Sequence, residues 1–287
     1  MSDICEIDLH RWVAEAEEAS QSEFREAVHT ILLAVAGHDK LRINMVMKGG
    51  LLMAIRHNSS RYTKDVDFST SKNPKELNPD LLVSWLQDAL VHSAQELDYE
   101  LDCRVQGYKL KPEHLDNPTF PALSIRVGYA YRGTPKHKRL EAGQCSTVVE
   151  IDHSYNEVIP NLERIDFSSG ETLEIYRLED LIAEKYRALL QQPIKGKRRR
   201  QDVYDLNLLL ERCNPISDRE KFSIMESLLA KCHGRGVDPC RESIDDPMVI
   251  KLARSDYHTL EDEVDGLPSF DECYARLTSM YKELPWS

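Results

Sequence analysis

The chain predicts an α+β fold in which a mixed, mostly antiparallel sheet flanked by helices is followed by a helical C-terminal domain. Three observations carry this. Short apolar runs with alternating polarity recur between polar, proline-containing loops, as strands require. Apolar residues at helical spacing lie before and between those runs. Beyond residue 178 nearly all of the patterning is helical. The division falls near residue 170, giving a 1–170 α/β domain with N-terminal helices and a 171–287 helical domain.

Residues 9–36 supply Trp12, Ala16, Phe24, Ala27, Ile31, Leu32 and Val35 at roughly helical spacing, enough for one or two helices covering a sheet face. The first two strands are expected at 43–47 and 65–69, with a short helix over 51–55 between them. Asn78-Pro79-Asp80 is a helix start, and Leu81, Leu82, Trp85, Leu86, Ala89 and Leu90 continue an amphipathic face. Strands are expected at 99–110, 122–131 and 145–153. Helices then follow at 181–190, 202–212, 220–232 and 270–284.

With 287 residues the chain can bury a sizeable core. No Pro-, Gly- or Ser-rich linker divides it, and it carries no repeat. It lacks a run of eighteen apolar residues, and Asp3, Glu6 and Asp8 are unlike a signal peptide, so a cytoplasmic location is expected. The seven cysteines, Cys5, Cys103, Cys145, Cys213, Cys232, Cys240 and Cys273, are odd in number, scattered and without a Cys-x-x-Cys pair, which favours reduced thiols over disulfides or zinc. A net charge of −12 argues against non-specific coating of nucleic acid. Against that background Lys195-Gly-Lys197-Arg198-Arg199-Arg200 is a local basic run, either a solvated loop or a phosphate or RNA-backbone contact.

The most informative stretch runs from Lys48-Gly49-Gly50 to Arg61-Tyr-Thr63-Lys-Asp65-Val-Asp67-Phe68. On a strand, Asp65 and Asp67 project from one face while Val66 and Phe68 pack behind. Two carboxylates so close repel unless a cation lies between them, and Mg²⁺ suits oxygen ligands completed by water and substrate phosphates. The glycine pair sits where a buried strand, Met45-Val46-Met47, turns into a helix. Such a corner lets backbone N–H groups approach phosphate oxygens. The bland alternative is a hairpin with a solvated Asp-Val-Asp edge. The glycine pair nearby weighs against it, and a metal-dependent nucleotidyl transfer site is the expectation.

The glycine pair, the Arg61-x-Thr63-x-Asp65-x-Asp67 run, and Lys185 followed by Asp202 and Asp205 resemble the AbiEii/AbiGii toxin family of the polymerase-β-type nucleotidyltransferase superfamily. The matching motifs cover residues 46–68 and 173–210. The resemblance implies a nucleotidyltransferase sheet and two Mg²⁺ ions held by Asp65, Asp67 and a third acid on a neighbouring strand. In Thr147-Val-Val-Glu150-Ile-Asp152-His153, alternation puts Glu150 and Asp152 on the same face and cannot separate them; the family pattern favours Glu150, with Asp152 in reserve. Asp102 has weaker context. The resemblance also implies that Lys185 contacts the nucleotide's phosphates, with Asp202 orienting Lys185 or Arg61. Lys48, Gly49, Gly50, Arg61 and Thr63 complete the nucleotide-binding set.

Read from the residues alone, Lys185 beside an apolar stripe is a lysine that snorkels to water, and Asp202 is a helix cap. Three departures from the family are visible, one of them a glycine-to-aspartate spacing at the long end. Leu51 stands where a serine often follows the glycines, removing a hydroxyl contact to phosphate. Gln201 replaces the arginine common beside the first aspartate, although Arg198, Arg199 and Arg200 are near. The expected reaction is transfer of NMP from an NTP to an RNA acceptor such as a tRNA 3′ end, as a toxin whose cognate antitoxin acts without a tight complex. A small-molecule or protein hydroxyl as acceptor, and a non-catalytic nucleotide- or partner-binding protein, are the competing readings.

Overall fold

The computed structural model describes residues 6–61, 63–112, 119–213 and 215–286; Asp3 and Cys5 lie outside the described residues. The chain forms two compact units. The first comprises Met1–Arg56, Thr63–Glu157 and Glu163–Ile175, the second His57–Tyr62, Val158–Leu162 and Tyr176–Ser287.

The first unit begins with β1 (Glu6–Ile7), α1 (Leu9–Ala14), α2 (Ala19–Gly37), α3 (Asp39–Arg42), β2 (Val46–Lys48) and α4 (Gly49–His57). It continues with β3 (Asp65–Ser69), α5 (Pro79–Glu96), β4 (Leu101–Lys111), β5 (Ala122–Tyr131), α6 (Pro135–Glu141), β6 (Val148–Ser154), β7 (Leu162–Phe167) and β8 (Thr172–Tyr176). The described strands make one sheet in the order β1-β7-β8-β2-β3-β6-β5-β4. It is mixed: β1–β7, β2–β8 and β3–β6 are parallel. The longest pairings, β4–β5 and β5–β6, are antiparallel. Helix α2 is buried along most of its length, with Ala27, Val28, Ile31, Leu32 and Val35 sealed from water. Helix α5 starts where expected, because the Asn78 side chain accepts from the Asp80 and Leu81 N–H groups and Pro79 needs no partner at the first turn.

The second unit is built of α7 (Leu178–Leu190), α8 (Gln192–Lys195), α9 (Arg200–Arg212), α10 (Asp218–Cys232), α11 (Pro247–Arg254) and α12 (Phe270–Lys282). Helix α7 packs on α9 and α10, and α9 on α12. Its apolar core contains a polar knot. Lys231, wholly buried, donates to the Val158 carbonyl at 2.8 Å and lies 3.9 Å from Asp180, whose carboxylate also accepts from Ser227 and Asn161. Those bonds bind residues 158–162 into the helical unit. No helix among the described residues is long and apolar enough to cross a membrane. The six described cysteines are free thiols.

Several boundaries differ from the sequence expectation. Residues 39–42 are helical because His38 accepts from Leu41 N–H and the Asn44 side chain donates to the Lys40 carbonyl, so the first expected strand starts at Val46 and leaves Ile43 exposed. The expected strand 145–153 starts only at Val148. Helix α6, capped by Thr134, and strands β1, β7 and β8 were not foreseen.

Candidate active site

On β3 the alternation is as the sequence requires: Val66 and Phe68 are fully buried, Asp65 is exposed and Asp67 half-buried. The strand lies between β2 and β6. Antiparallel pairing sets Lys48 opposite Asp67, and parallel pairing sets Glu150 opposite Asp65 and Asp152 opposite Asp67. Residues directly across a sheet share a face, so one face of three adjacent strands carries Lys48, Asp65, Asp67, Glu150 and Asp152. From β5, Arg126 lies opposite Glu150 and Ser124 opposite Asp152.

Gly49 opens α4 with φ of 77°, a left-handed conformation that favours glycine. A Cβ there would lie 2.0 Å from Asp67 Oδ2, so the carboxylate rests directly on the glycine backbone. The same position combines a strained turn, a helix start whose first N–H groups lack intrahelical partners, and contact with a candidate metal ligand. Lys48, one residue earlier, is buried; its ammonium donates to Ser154 Oγ at 3.2 Å and lies 3.7 Å from Glu157. Thr63 Oγ1 is 3.5 Å from the Asp65 carbonyl.

The donor set is all oxygen and reachable from solvent, which fits a hard cation such as Mg²⁺. As the side chains stand, no three His, Cys, Asp or Glu among the described residues converge closely enough to hold one. Part of the reason is visible: Glu150 turns to Arg126, 3.4 Å away. Asp152 has no hydrogen-bond or ion-pair partner among the described residues. Adjacent strands are about 4.8 Å apart, so these carboxylates stand on neighbouring strands of one face.

The second unit holds another charged cluster. Lys185, on α7, is buried and donates to Asp205 at 2.6 Å and Asp202 at 3.2 Å. Arg61 donates from Nε and Nη2 to the two oxygens of Asp205 at 3.2 and 3.3 Å and approaches Glu263 at 3.9 Å. Burial alone would raise the Asp205 carboxyl; Lys185 and Arg61 outweigh it and hold the group below the ordinary carboxylate range. Burial likewise acts to lower the Lys185 ammonium, and the carboxylates of Asp205 and Asp202 raise it instead. Asp202 does not cap α9, whose N-cap position is Arg199 with no side-chain cap bond; its carboxylate accepts from Lys185 instead, and Lys185 does not snorkel.

The basic run is largely paired. Arg198 binds Asp256, Arg200 donates to Glu263 at 3.1 Å and to the Asp256 carbonyl at 3.2 Å, and Arg199 lies 3.9 Å from Asp202. Arg198, Arg200, Gln201, Asp256 and Thr259 line a cavity of about 390 Å³. Lys195 and Lys197 are exposed.

Sequence reasoning missed Ser154, Glu157, Arg126 and Glu263. Each meets its partner across elements distant in sequence, and nothing in its neighbours marks it.

Comparison with known proteins bears on family and fold. A model of the family described as "Nucleotidyl transferase AbiEii toxin, Type IV TA system" matches residues 30–276. Comparison with curated proteins finds no significant match. Among solved structures, JHP933 from Helicobacter pylori is 15% identical with a TM-score of 0.53, covering 94% of this chain and 93% of that one. A candidate nucleotidyltransferase from the same organism is 15% identical with a TM-score of 0.50, covering 94% and 95%. These two likenesses speak to the fold alone. Because the family model spans most of the sequence, including the glycine pair, the β3 aspartates and the Lys185 helix, the chain belongs to the AbiEii nucleotidyl transferase toxin family and is a nucleotidyltransferase.

Proposed function

We propose that the protein is a Mg²⁺-dependent toxin acting in the cytoplasm, transferring NMP from an NTP to an RNA hydroxyl with release of pyrophosphate, with the tRNA 3′ end as the leading acceptor. A cognate antitoxin acts on it without a tight complex. The observation that carries the reading is the shared face on which Asp65 and Asp67 meet Glu150 and Asp152 across β3 and β6, next to Lys48 and Gly49.

Asp65, Asp67 and Glu150 would hold two Mg²⁺ ions, with Asp152 in reserve; the Glu150–Arg126 contact brings Asp152 forward. When bound, the metal lowers the pKa of the acceptor hydroxyl and neutralises charge on the triphosphate. Backbone N–H groups at Gly49 and Gly50 donate to the triphosphate oxygens at a helix start. Lys48 offers a fixed positive charge beside Asp67. Thr63 ties the segment before β3 to the strand. In the second unit we assign Lys185 to the nucleotide's phosphates on the family resemblance. Two of its three N–H donors are taken by Asp202 and Asp205, which leaves one for an oxygen. Arg61, bidentate on Asp205, then acts by holding that aspartate.

A second reading, transfer to a small-molecule or protein hydroxyl, has its own support: Arg198, Arg199 and Arg200 are occupied by acids of this chain rather than presented as a bare basic surface. The test is label transfer from each of the four α-labelled NTPs to purified tRNA and to total RNA with Mg²⁺, comparing the wild-type protein with Asp67→Ala. Label on RNA that disappears in the variant is expected. Mg²⁺-dependent NTP binding without label on RNA would move the acceptor to the second reading.

A further inference from the structure

We propose that Glu157 and Ser154 are positioning residues for Lys48, fixing its ammonium relative to the strand that carries Asp65 and Asp67. The inference rests on the reading of that face as the nucleotide site.

A lysine on a strand end is ordinarily a mobile charge on a flexible four-carbon stem. Lys48 is not ordinary: its side chain is only 11% exposed and that of Glu157 only 6%. Taking both charges out of water costs about as much as their attraction returns, so a buried pair of this kind is weak as a stabilising device. What it does supply is a place.

The anchor is itself anchored. Thr70 N–H donates to the Ser154 carbonyl at 2.8 Å, Asn156 N–H to the Lys72 carbonyl at 3.0 Å, and Glu157 N–H to the Thr70 carbonyl at 3.0 Å. These bonds continue the β3–β6 pairing past the strand ends and stitch residues 154–157 to 70–72. Lys48 belongs to β2, yet its ammonium is held by a segment locked to the continuation of β3. Its charge is thereby referenced to Asp67, the residue opposite it. A cation so placed meets the triphosphate at a constant position, and the protein does not spend nucleotide binding energy on ordering it.

The experiment is calorimetric titration of the intact protein with each of the four common NTPs in the presence of Mg²⁺. It compares wild type, Lys48→Met, Glu157→Gln, their double variant, Ser154→Ala and Asp67→Ala, with thermal melts to confirm folding. Lys48→Met and Glu157→Gln should each raise Kd about tenfold, the scale of one charge-assisted hydrogen bond. The double variant should be no weaker than the worse single variant, because Glu157 acts through Lys48. Ser154→Ala, which removes a single hydroxyl, should give a smaller rise of about threefold and keeps the question open to measurement even if Glu157→Gln folds poorly. Additive losses in the double variant, or a Kd unchanged by both Glu157→Gln and Ser154→Ala, overturn the proposal. Binding lost in Asp67→Ala but untouched in Lys48→Met overturns this proposal alone. Absence of Mg²⁺-dependent binding of any NTP to the wild-type protein overturns the nucleotide reading and this inference with it.

Discussion

Asp65 and Asp67 on β3 and Asp202 and Asp205 on α9 are both aspartate pairs at short spacing, one at the period of a strand and the other at three residues along a helix. Their surroundings differ. The strand pair sits on a face where further carboxylates, Glu150 and Asp152, add to the negative charge and where solvent has access. The helix pair is met by two cations of the chain itself, Lys185 and Arg61, and Asp205 is almost fully buried. The first pair shares its face with Lys48 and two further carboxylates, whereas the second is balanced by buried cations of the chain itself. Identical residue types thus sit on a solvent-reachable face in one unit and fix buried cations in the other, and the distinction shows up in what each substitution should damage.

The largest effect is expected at Asp67. Asp67 is half-buried on a solvent-reachable face rather than in the core, so the fold should survive its removal, with a melting temperature close to that of the wild type. On the proposed reading, in which Asp67 holds the metal, transfer should fall on the order of a thousandfold or more. Asp205→Ala should behave oppositely. It leaves Lys185 and Arg61 buried with too little negative charge, and breaking a buried pair from one side costs about 3–5 kcal/mol. Denaturant unfolding should reveal that loss even where no nucleotide is present. If Asp67→Ala unfolds the protein while Asp205→Ala leaves its stability intact, the contrast between the two pairs is wrong.

The contrast can also be titrated. The folded Asp205 carboxyl lies below its ordinary 3.8, so its contribution to stability is in place above that pH and is lost as pH falls through the lower folded value. The folded Lys185 ammonium lies above its ordinary 10.5; its contribution is in place below that pH and is lost as pH rises through the folded value. Stability measured against pH should therefore show a plateau between these limits. In Asp205→Ala the whole plateau should drop, and the acid-side decline should become shallower.

Gly49→Ala is a finer probe of the strand pair. The added methyl would meet Asp67 Oδ2 at 2.0 Å, and the φ of 77° is unfavourable for alanine. The left-handed conformation costs about 1–2 kcal/mol. Displacement of the carboxylate should reduce transfer by about ten- to a hundredfold, with Mg²⁺ dependence shifted to higher concentration. A loss of stability with no change in Mg²⁺ dependence would mean that the glycine serves the turn alone.

Much of this was legible in the sequence for local reasons. Strand alternation placed Asp65 and Asp67 on one face, Asn78-Pro79 announced α5, and the helical half declared itself by period. Contacts between remote segments were not legible. Nothing near Glu157 indicates Lys48, and nothing near Glu263 indicates Arg61 or Arg200. Alternation put Glu150 and Asp152 on the same side and stopped there; the cross-strand register adds that Arg126 lies opposite Glu150 and Ser124 opposite Asp152. Strands β7 and β8 escaped notice because charged residues interrupt their short apolar patterns. The basic run misled in another way, since its charge was plain but the acids that occupy it, Asp256 and Glu263, lie over fifty residues downstream.

That run supplies the smallest expected effect and the sharpest choice of acceptor. Arg198, Arg199 and Arg200 are engaged with acids, so replacing them would disturb the second unit as well as any nucleic-acid contact. Lys195 and Lys197 are exposed, and reversing both to glutamate should leave stability within about 0.5 kcal/mol of wild type. If RNA is the acceptor, these lysines lie against its phosphates. Transfer to RNA should then weaken about tenfold near physiological salt, and the dependence of binding on salt should flatten as fewer counterions are released. Nucleotide binding with Mg²⁺, measured without RNA, should not change. An unchanged rate on RNA across the salt series would place the acceptor's backbone elsewhere. Transfer that is indifferent to both salt and charge reversal is what a small, uncharged acceptor predicts.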